Sequence, residues 1–379
     1  MKRGQGCEFI DGNEATARGA VRAGCDFYAS YPITPASTIL SYMLELADGE
    51  DEVVIQAEDE IASIGMCIGA AMAGRKAMTA TSGPGMSLYS ENIGLAIMGE
   101  TPLVIVDVQR QGPATGSATK GAEGDIQFAR WGTSGGLPVI ALSPADAGEA
   151  YELTYRAFNL AERFRAPVVV LSNKEIGMTR QSVRLGSLPL PRRAERRRAG
   201  RRGRYRPHGF DSDRPEQVPE FSPFGGPHLA RFTTSTHDRD ALLVTDPALI
   251  QEMIDHYLAK IQSAAEEIAL YRADLQSGAR TLVISYGVVS RSVAVAVAQA
   301  RARRRKVSSL VLRTLWPVPE KAIGQAMAGV KRVVVPEMNM GQYRQEIERL
   351  APPGVRVSGV NKMDTTLLSP DEIAERGGI

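Results

Sequence analysis

Short apolar runs alternate with amphipathic stretches along most of the chain. Val53-Val-Ile-Gln56, Ala77-Met-Thr-Ala-Thr81, Leu103-Val-Ile-Val-Asp-Val108 and Pro167-Val-Val-Val-Leu-Ser172 are too short for helices and read as buried strands. Between them apolar residues recur at helical spacing. One helix is expected over 13–23, capped by Asn13 and ended by Gly24. A second follows Glu58-Asp-Glu60, is built of small residues (Ala62, Gly65, Gly69, Ala70), and runs to Ala73 before Gly74. Further helices are expected after Thr34-Pro35, over 86–98 and over 145–164. Strand and helix in alternation predict an α/β fold with a parallel sheet covered on both faces.

The pattern breaks after Arg180 and resumes near residue 279. The segment 192–206 carries nine arginines and predicts a solvated, partly disordered insertion, or else a patch for an acidic partner or RNA. Asp246-Pro247 opens a helix expected to run towards Leu275. A second α/β unit then begins with Thr281-Leu-Val-Ile-Ser285. The expected organisation is a first domain over 1–180, a linker with the arginine-rich insertion and long helix over 181–278, and a second domain over 279–379.

Composition narrows the function classes. The chain has 379 residues, 43% hydrophobic and 23% charged, as expected of a soluble globular protein of two domains. Net charge is +2, so no global field points to nucleic acid or membrane. The N-terminus lacks the apolar segment of a secretory signal, and a cytoplasmic location is expected. Cys7, Cys25 and Cys67 form no C-x-x-C pair, so no iron–sulfur cluster or metal site is expected in this chain. Cys67, in the small-residue helix, is expected to be buried and inert. All four histidines lie between residues 208 and 256, outside the apparent core units, which argues against histidine-based catalysis.

The candidate chemistry gathers at strand ends. Glu60 stands where a strand passes into a helix, the edge at which open α/β sheets bind ligands. Thr34 precedes a proline at an expected helix start and would present a hydroxyl to an anion. Arg110 follows a buried strand and opens a Gly/Thr-rich loop. Ser82-Gly-Pro-Gly85 is too short for a dinucleotide fingerprint or a phosphate-binding P-loop, and no Gly-x-Ser-x-Gly elbow occurs. Taken alone, these residues define a two-domain α/β ligand-binding protein with a candidate site at Thr34, Glu60 and Arg110.

Five motifs in order, Tyr31-Pro-Ile-Thr-Pro35, Gln56-Ala-Glu-Asp-Glu-Ile-Ala-Ser-Ile-Gly65, Thr79-Ala-Thr-Ser-Gly-Pro-Gly85, Val106-Asp-Val-Gln-Arg110 and Pro336-Glu-Met-Asn-Met-Gly-Gln-Tyr343, resemble the alpha subunit of the 2-oxoacid:ferredoxin oxidoreductases. The likeness is nearest to the 2-oxoglutarate branch and covers about residues 8–180 and 240–379; the arginine-rich run falls outside it. It implies a pyrimidine-binding domain of the thiamine diphosphate enzymes, then a transketolase C-terminal-like domain. It further implies oxidative decarboxylation of a 2-oxo acid with CoA, with electrons passing through iron–sulfur clusters to ferredoxin. A partner beta subunit would supply the diphosphate and Mg²⁺ site and a [4Fe-4S] cluster, with gamma and delta subunits as further partners.

The resemblance also assigns roles. Glu60 matches the acid that hydrogen-bonds N1′ of the thiamine pyrimidine and favours the tautomer that deprotonates the thiazolium carbon. Ser82 and Gly83 would line the pyrimidine pocket. Thr34 and Arg110 match positions that hold the substrate carboxylate, a task suited to a guanidinium fork and a hydroxyl. Lys120 is a candidate for the distal carboxylate of 2-oxoglutarate. The alternatives are the same chemistry on a branched-chain 2-oxo acid or pyruvate, and, in a different class, a non-catalytic scaffold or partner-docking protein.

Overall fold

The computed structural model describes residues 6–379. Its strands are β1 (Glu8–Ile10), β2 (Phe27–Ser30), β3 (Val53–Gln56), β4 (Ala77–Thr81), β5 (Leu103–Gln109), β6 (Ile140–Leu142), β7 (Pro167–Asn173) and β8 (Gln181–Val183). After the central segment come β9 (Tyr271–Asp274), β10 (Thr281–Ser285), β11 (Val307–Leu312), β12 (Thr314–Trp316), β13 (Arg332–Glu337) and β14 (Arg356–Asn361). The larger sheet has the order β12-β6-β7-β5-β4-β2-β3, and the second β14-β13-β10-β11-β9. Neighbours in the larger sheet pair in parallel except β12, which runs antiparallel to β6. This is the expected α/β architecture.

Alternation along β5 divides its side chains between two cores. Val104, Val106 and Val108 join Ile39, Met43, Phe158 and Phe164 on one face. Leu103 and Ile105 join Ile64, Cys67 and Ile93 on the other. That second cluster continues without a break into Leu282, Ile284, Leu312 and Trp316 of the second α/β unit. Each such fully buried aliphatic side chain contributes about 1.5–3 kcal/mol relative to exposure, so the two units stabilise one another. Two strands cross the expected boundaries. Residues 271–274, in the expected linker, pair antiparallel with β11, and residues 314–316 extend the larger sheet.

Several local expectations are corrected. The helix cap is Asp11, which accepts from the Glu14 backbone N–H, while Asn13 inside the helix Gly12–Ala23 donates to the Pro35 carbonyl and the Thr38 hydroxyl. Thr34 is not a helix cap: its peptide bond to Pro35 is cis, a turn follows in which the Ile33 carbonyl accepts from Ala36 and Ser37, and the helix starts at Ser37. The helix opened by Pro247 ends at Gln262, because the Leu270 carbonyl accepts from the backbone N–H groups of Arg313 and Thr314 and draws the following residues into β9. That tertiary pairing outweighs a helical pattern of apolar residues.

The arginine-rich segment is not simply a solvated insertion. Arg196 is buried, makes a two-pronged ion pair with Glu162 at 2.7 Å, and donates to the carbonyls of Ala71 and Arg75. Its guanidinium also lies 4.6 Å from the ring centre of Phe221. Arg192, Arg197, Arg198, Arg201, Arg202 and Arg204 are exposed. Three of the four histidines, His208, His237 and His256, are not outside the core either, and His228 is half-buried. His208 and His256 hydrogen-bond the buried Glu100 carboxylate at 2.8 and 2.9 Å, and the tilted ring of His237 lies with its centre 4.0 Å from that of His208. With Lys260 beside it, Glu100 keeps its carboxyl well below the usual range despite burial. Cys67 is buried as expected, and burial pushes its thiol up to about 12.

Candidate active site

Four neighbouring parallel strands, in the order β5-β4-β2-β3, deliver the candidate residues to one edge. Thr34 follows β2, Glu60 follows β3, Ser82 and Gly83 follow β4, and Arg110 follows β5. All are at the carboxyl ends of their strands, the edge at which open parallel sheets bind ligands.

Glu60 is the first residue of the helix Glu60–Met72, whose cap is Asp59. The Ser63 hydroxyl donates to the Glu60 carbonyl and meets the Tyr89 hydroxyl, which in turn meets Thr79 of β4. Burial raises the Tyr89 phenol above its ordinary range, so it stays a neutral bridge. This network fixes the Glu60 backbone to the sheet. The side chain is buried, yet among the described residues no donor hydrogen-bonds its carboxylate. It lies over Gly85, where an added Cβ would fall 2.8 Å from Glu60 Cγ, 3.1 Å from Oε1 and 2.0 Å from Thr81 Oγ1. Only a glycine permits that approach. Nearby, the Ser82 hydroxyl is buried without a partner.

Arg110 forms the second half of the site. Its guanidinium is buried and donates to the Thr34 carbonyl at 2.6 Å and to the Thr115 carbonyl at 3.1 Å, while Nε has no partner. The structure therefore brings Thr34 and Arg110 into direct contact through the backbone of Thr34. Gly83 faces a different group, Asp125, whose Oδ2 would stand 3.4 Å from an added Cβ. Lys120 is exposed on the loop after Arg110, which folds back on itself through the pairing of Gln111 and Ser117.

Sequence reasoning missed the acids around Arg110. Asp107 sits within β5, fully buried, and no partner among the described residues satisfies either of its oxygens unless it shares a proton with Asp125. Burial, reinforced by the Asp125 charge, holds its carboxyl well above the usual range. Burial likewise pushes Asp125 up to about 6, although the Asp107 hydrogen bond and the Arg110 charge pull the other way. Glu123 is buried two residues earlier and accepts from Asn173 and from the Val288 backbone; burial pushes it up to about 7. A signal existed for Asp107: an acid inside an otherwise apolar strand demands a reason. None existed for Asp125 or Glu123, which lie in a loop whose partners come from a distant part of the chain.

That loop is clasped by the second unit. Glu123 N–H donates to the Met338 carbonyl, Asn339 Nδ2 to the Glu123 carbonyl, and Gln342 Nε2 to the Gly124 carbonyl. Gly287, with φ +59°, would place a Cβ 2.1 Å from Glu123 Oε1. The motif 336–343 thus clasps the backbone of Glu123 and Gly124.

One strand end of this parallel sheet thus carries a buried carboxylate with no donor among the described residues, and another carries a buried arginine. Residues 18–255 match the family model described as pyruvate flavodoxin/ferredoxin oxidoreductase, thiamine diphosphate-binding, and residues 279–373 match pyruvate:ferredoxin oxidoreductase core domain II. The chain belongs to the 2-oxoacid:ferredoxin oxidoreductase family, as an alpha-type subunit. It is 41% identical to the 2-oxoglutarate synthase subunit KorA of Methanothermobacter marburgensis over 97% of both chains, and 38% identical to that of Methanocaldococcus jannaschii over 97% of this chain and 98% of that one. The ketoisovalerate oxidoreductase subunit VorB of Methanothermobacter thermautotrophicus is 32% identical over 97% of this chain and 96% of its own.

Among solved structures, the 2-oxoglutarate:ferredoxin oxidoreductase from Magnetococcus marinus with 2-oxoglutarate, coenzyme A and succinyl-CoA bound superposes with TM-score 0.91 at 30% identity. The match covers 98% of this chain but 65% of that one. A split-gene transketolase, at 12% identity, shares the fold with TM-score 0.52 over 93% of this chain and 89% of its own. The expected order of a pyrimidine-binding domain followed by a C-terminal α/β domain is therefore the one present. No helix among the described residues is long and apolar enough to cross a membrane.

Proposed function

We propose that this chain is the alpha subunit of a 2-oxoglutarate:ferredoxin oxidoreductase, converting 2-oxoglutarate and CoA to succinyl-CoA and CO₂ while reducing ferredoxin. The observation that carries the reading is the Glu60 carboxylate, buried over Gly85 with no donor of its own among the described residues. A confined carboxylate to which the protein offers no donor is suited to accept one from a ligand. The pyrimidine ring of thiamine diphosphate, protonated at N1′, would supply that donor, and the unpartnered Ser82 hydroxyl, just before the helix Gly83–Leu88, would stand at the rim of such a ring. When bound, that cofactor supplies the carbanion chemistry and electron sink.

The chain's own residues then do three things. Glu60 accepts a hydrogen bond from the ring nitrogen and, shielded from water, fixes its protonation state. Arg110 and the Thr34 hydroxyl receive the carboxylate of the 2-oxo acid; the contact of Arg110 with the Thr34 carbonyl keeps the two together. Holding the carboxylate orients the bond to be broken and brings the reacting carbon into place. A beta subunit would carry the diphosphate and Mg²⁺ site and a [4Fe-4S] cluster, gamma and delta subunits would complete a larger assembly, and ferredoxin would take the electrons. The choice of 2-oxoglutarate rests on the relatives at 38–41% identity, against branched-chain acids at 32%.

The test is dye reduction by the chain co-purified anaerobically with its beta partner, supplied with thiamine diphosphate, Mg²⁺ and CoA. Reduction is expected with 2-oxoglutarate over 2-oxoisovalerate and pyruvate, and is expected to be lost in Glu60→Gln. A complex that holds cofactor and clusters but reduces dye with none of the three acids would overturn the reading.

A further inference from the structure

The central segment holds a cleft that the proposed reaction leaves unused. Its two arms, residues 197–209 and 217–228, are tied together. The backbone N–H of Phe221 donates to the Arg197 carbonyl at 2.8 Å, and that of Ala199 to the Phe221 carbonyl at 2.9 Å. The buried Arg165 holds the same arms, donating to the Pro207 carbonyl at 2.9 Å and to the Glu220 carbonyl at 3.0 Å. Between the arms lies a cleft of 240 Å³ whose walls include Arg197, Arg202, Arg204, Tyr205, Arg206 and His228.

Most of these side chains are fixed in advance. The Tyr205 hydroxyl accepts from the Ser222 N–H at 3.0 Å, and His228 Nε2 donates to the Gly200 carbonyl at 2.6 Å. The two rings stack, with centres 5.0 Å apart. Arg204 and Arg206 donate to the Asp240 carboxylate at 2.9 and 3.0 Å, and Arg197 pairs with Glu220 at 2.8 Å. Arg202 is exposed and forms no ion pair among the described residues. In this set four guanidiniums meet two carboxylates, so two positive charges have no counter-ion. Asp238 and Glu252, the next acids towards Arg206, are engaged elsewhere: Asp238 accepts from the backbone N–H groups of Asp240 and Leu242, and Glu252 pairs with Arg239. Backbone donors add to the positive field. Among the described residues no N–H from Gly200 to Arg206 donates to another group, and successive unpaired N–H groups in a loop favour an anion.

We propose that this cleft binds a diphosphate group, carried by a nucleoside diphosphate or present as the free inorganic anion. Guanidinium forks match phosphate oxygens. Arg204 and Arg206 retain further N–H donors while bound to Asp240, so they can serve the ligand without leaving that carboxylate. Side chains already held in place lose little freedom when a ligand arrives. The cleft is smaller than the roughly 300–1,000 Å³ that encloses a whole drug-sized ligand, and so suits the charged end of one. The basic run by itself predicts an acidic partner or RNA; a concave cleft with its two arms pinned together favours a small anion instead. The proposal stands apart from the roles of Thr34, Glu60, Ser82 and Arg110, none of which lines the cleft.

The experiment is calorimetric titration of the assembled complex with its beta partner, saturated beforehand with thiamine diphosphate and Mg²⁺, using ADP and inorganic diphosphate as separate titrants. Binding at one site per alpha chain is expected. Equal affinities identify the phosphates as the whole of the recognised group, and ADP tighter by about tenfold or more identifies the nucleoside diphosphate. Arg202→Ala combined with Arg204→Ala should weaken binding by about tenfold or more. Arg192→Ala combined with Arg201→Ala removes the same charge from exposed positions outside the cleft and should leave the affinity within about twofold. All four arginines are exposed, so both double variants should unfold close to the wild-type temperature. Binding of neither titrant overturns the proposal. Equal weakening by the two double variants also overturns it, since the affinity would then be one of diffuse charge. Binding left intact by Arg202→Ala with Arg204→Ala does so as well, since it would place the anion elsewhere in the complex.

Discussion

The Glu60 carboxylate rests on Gly85, its Oε1 3.1 Å from where a side chain on that residue would begin. The first turns of two helices, Glu60–Met72 after β3 and Gly83–Leu88 after β4, approach one another at this point. Gly85→Ala places a methyl group on Thr81 Oγ1 and Glu60 Cγ. Overpacking of this kind costs about 1–3 kcal/mol. We expect the affinity of the assembled complex for thiamine diphosphate to fall about tenfold or more, read by titrating the cofactor against dye reduction. An unchanged cofactor titration would contradict the placement of Glu60.

Glu60→Gln separates function from stability. The carboxylate has no donor among the described residues, and its one favourable interaction with the fold is with the helix start, worth about 0.3–1 kcal/mol. Urea unfolding of the variant should therefore shift little. Turnover should fall by on the order of a hundredfold or more, as for loss of a group that handles a proton. Equal losses of stability and activity would argue that Glu60 is a structural acid.

Glu123 makes the interdomain clasp sensitive to pH. Its carboxyl titrates at about 7 in the fold against 4.5 ordinarily, so the folded chain retains a proton the unfolded chain has released. Its stabilising contribution is complete below about 4.5 and is lost as pH rises through about 7. Full loss amounts to roughly 3 kcal/mol. Glu123→Gln keeps an oxygen for Asn173 and Val288 and cannot ionise. It should be more stable than wild type at pH 8 and indistinguishable near pH 5, as measured by urea unfolding at the two values.

Arg196 and Arg202 belong to one basic run but differ in environment. Arg196→Ala leaves Glu162 buried and uncompensated, a change that costs about 3–5 kcal/mol. Arg202 is exposed and forms no ion pair among the described residues, so Arg202→Ala should stay within about 0.5 kcal/mol of wild type. Thermal unfolding of the two variants gives the comparison directly.

The alternation of short apolar runs with helical spacings determined the α/β class, and the order of five motifs determined the family. Both depend on residues close in sequence. The strand β5 announces itself by the unbroken run from Leu103 to Val106, and Glu60 by its place between a strand and a small-residue helix. The convergence of Thr34, Glu60, Ser82 and Arg110 on one edge also followed, since each comes after a parallel strand. Tertiary structure alone decided the rest. Residues 271–274 became a strand because Leu270 meets Arg313 and Thr314. Arg196 became a core residue because Glu162 and two carbonyls surround it, although its neighbours in sequence are exposed. Asp125 and Glu123 acquired their unusual protonation from burial beside Asp107, Asn173 and Gly287. Charge, burial and proton affinity are set by what comes near in space, and a local pattern carries no record of partners brought from elsewhere in the chain.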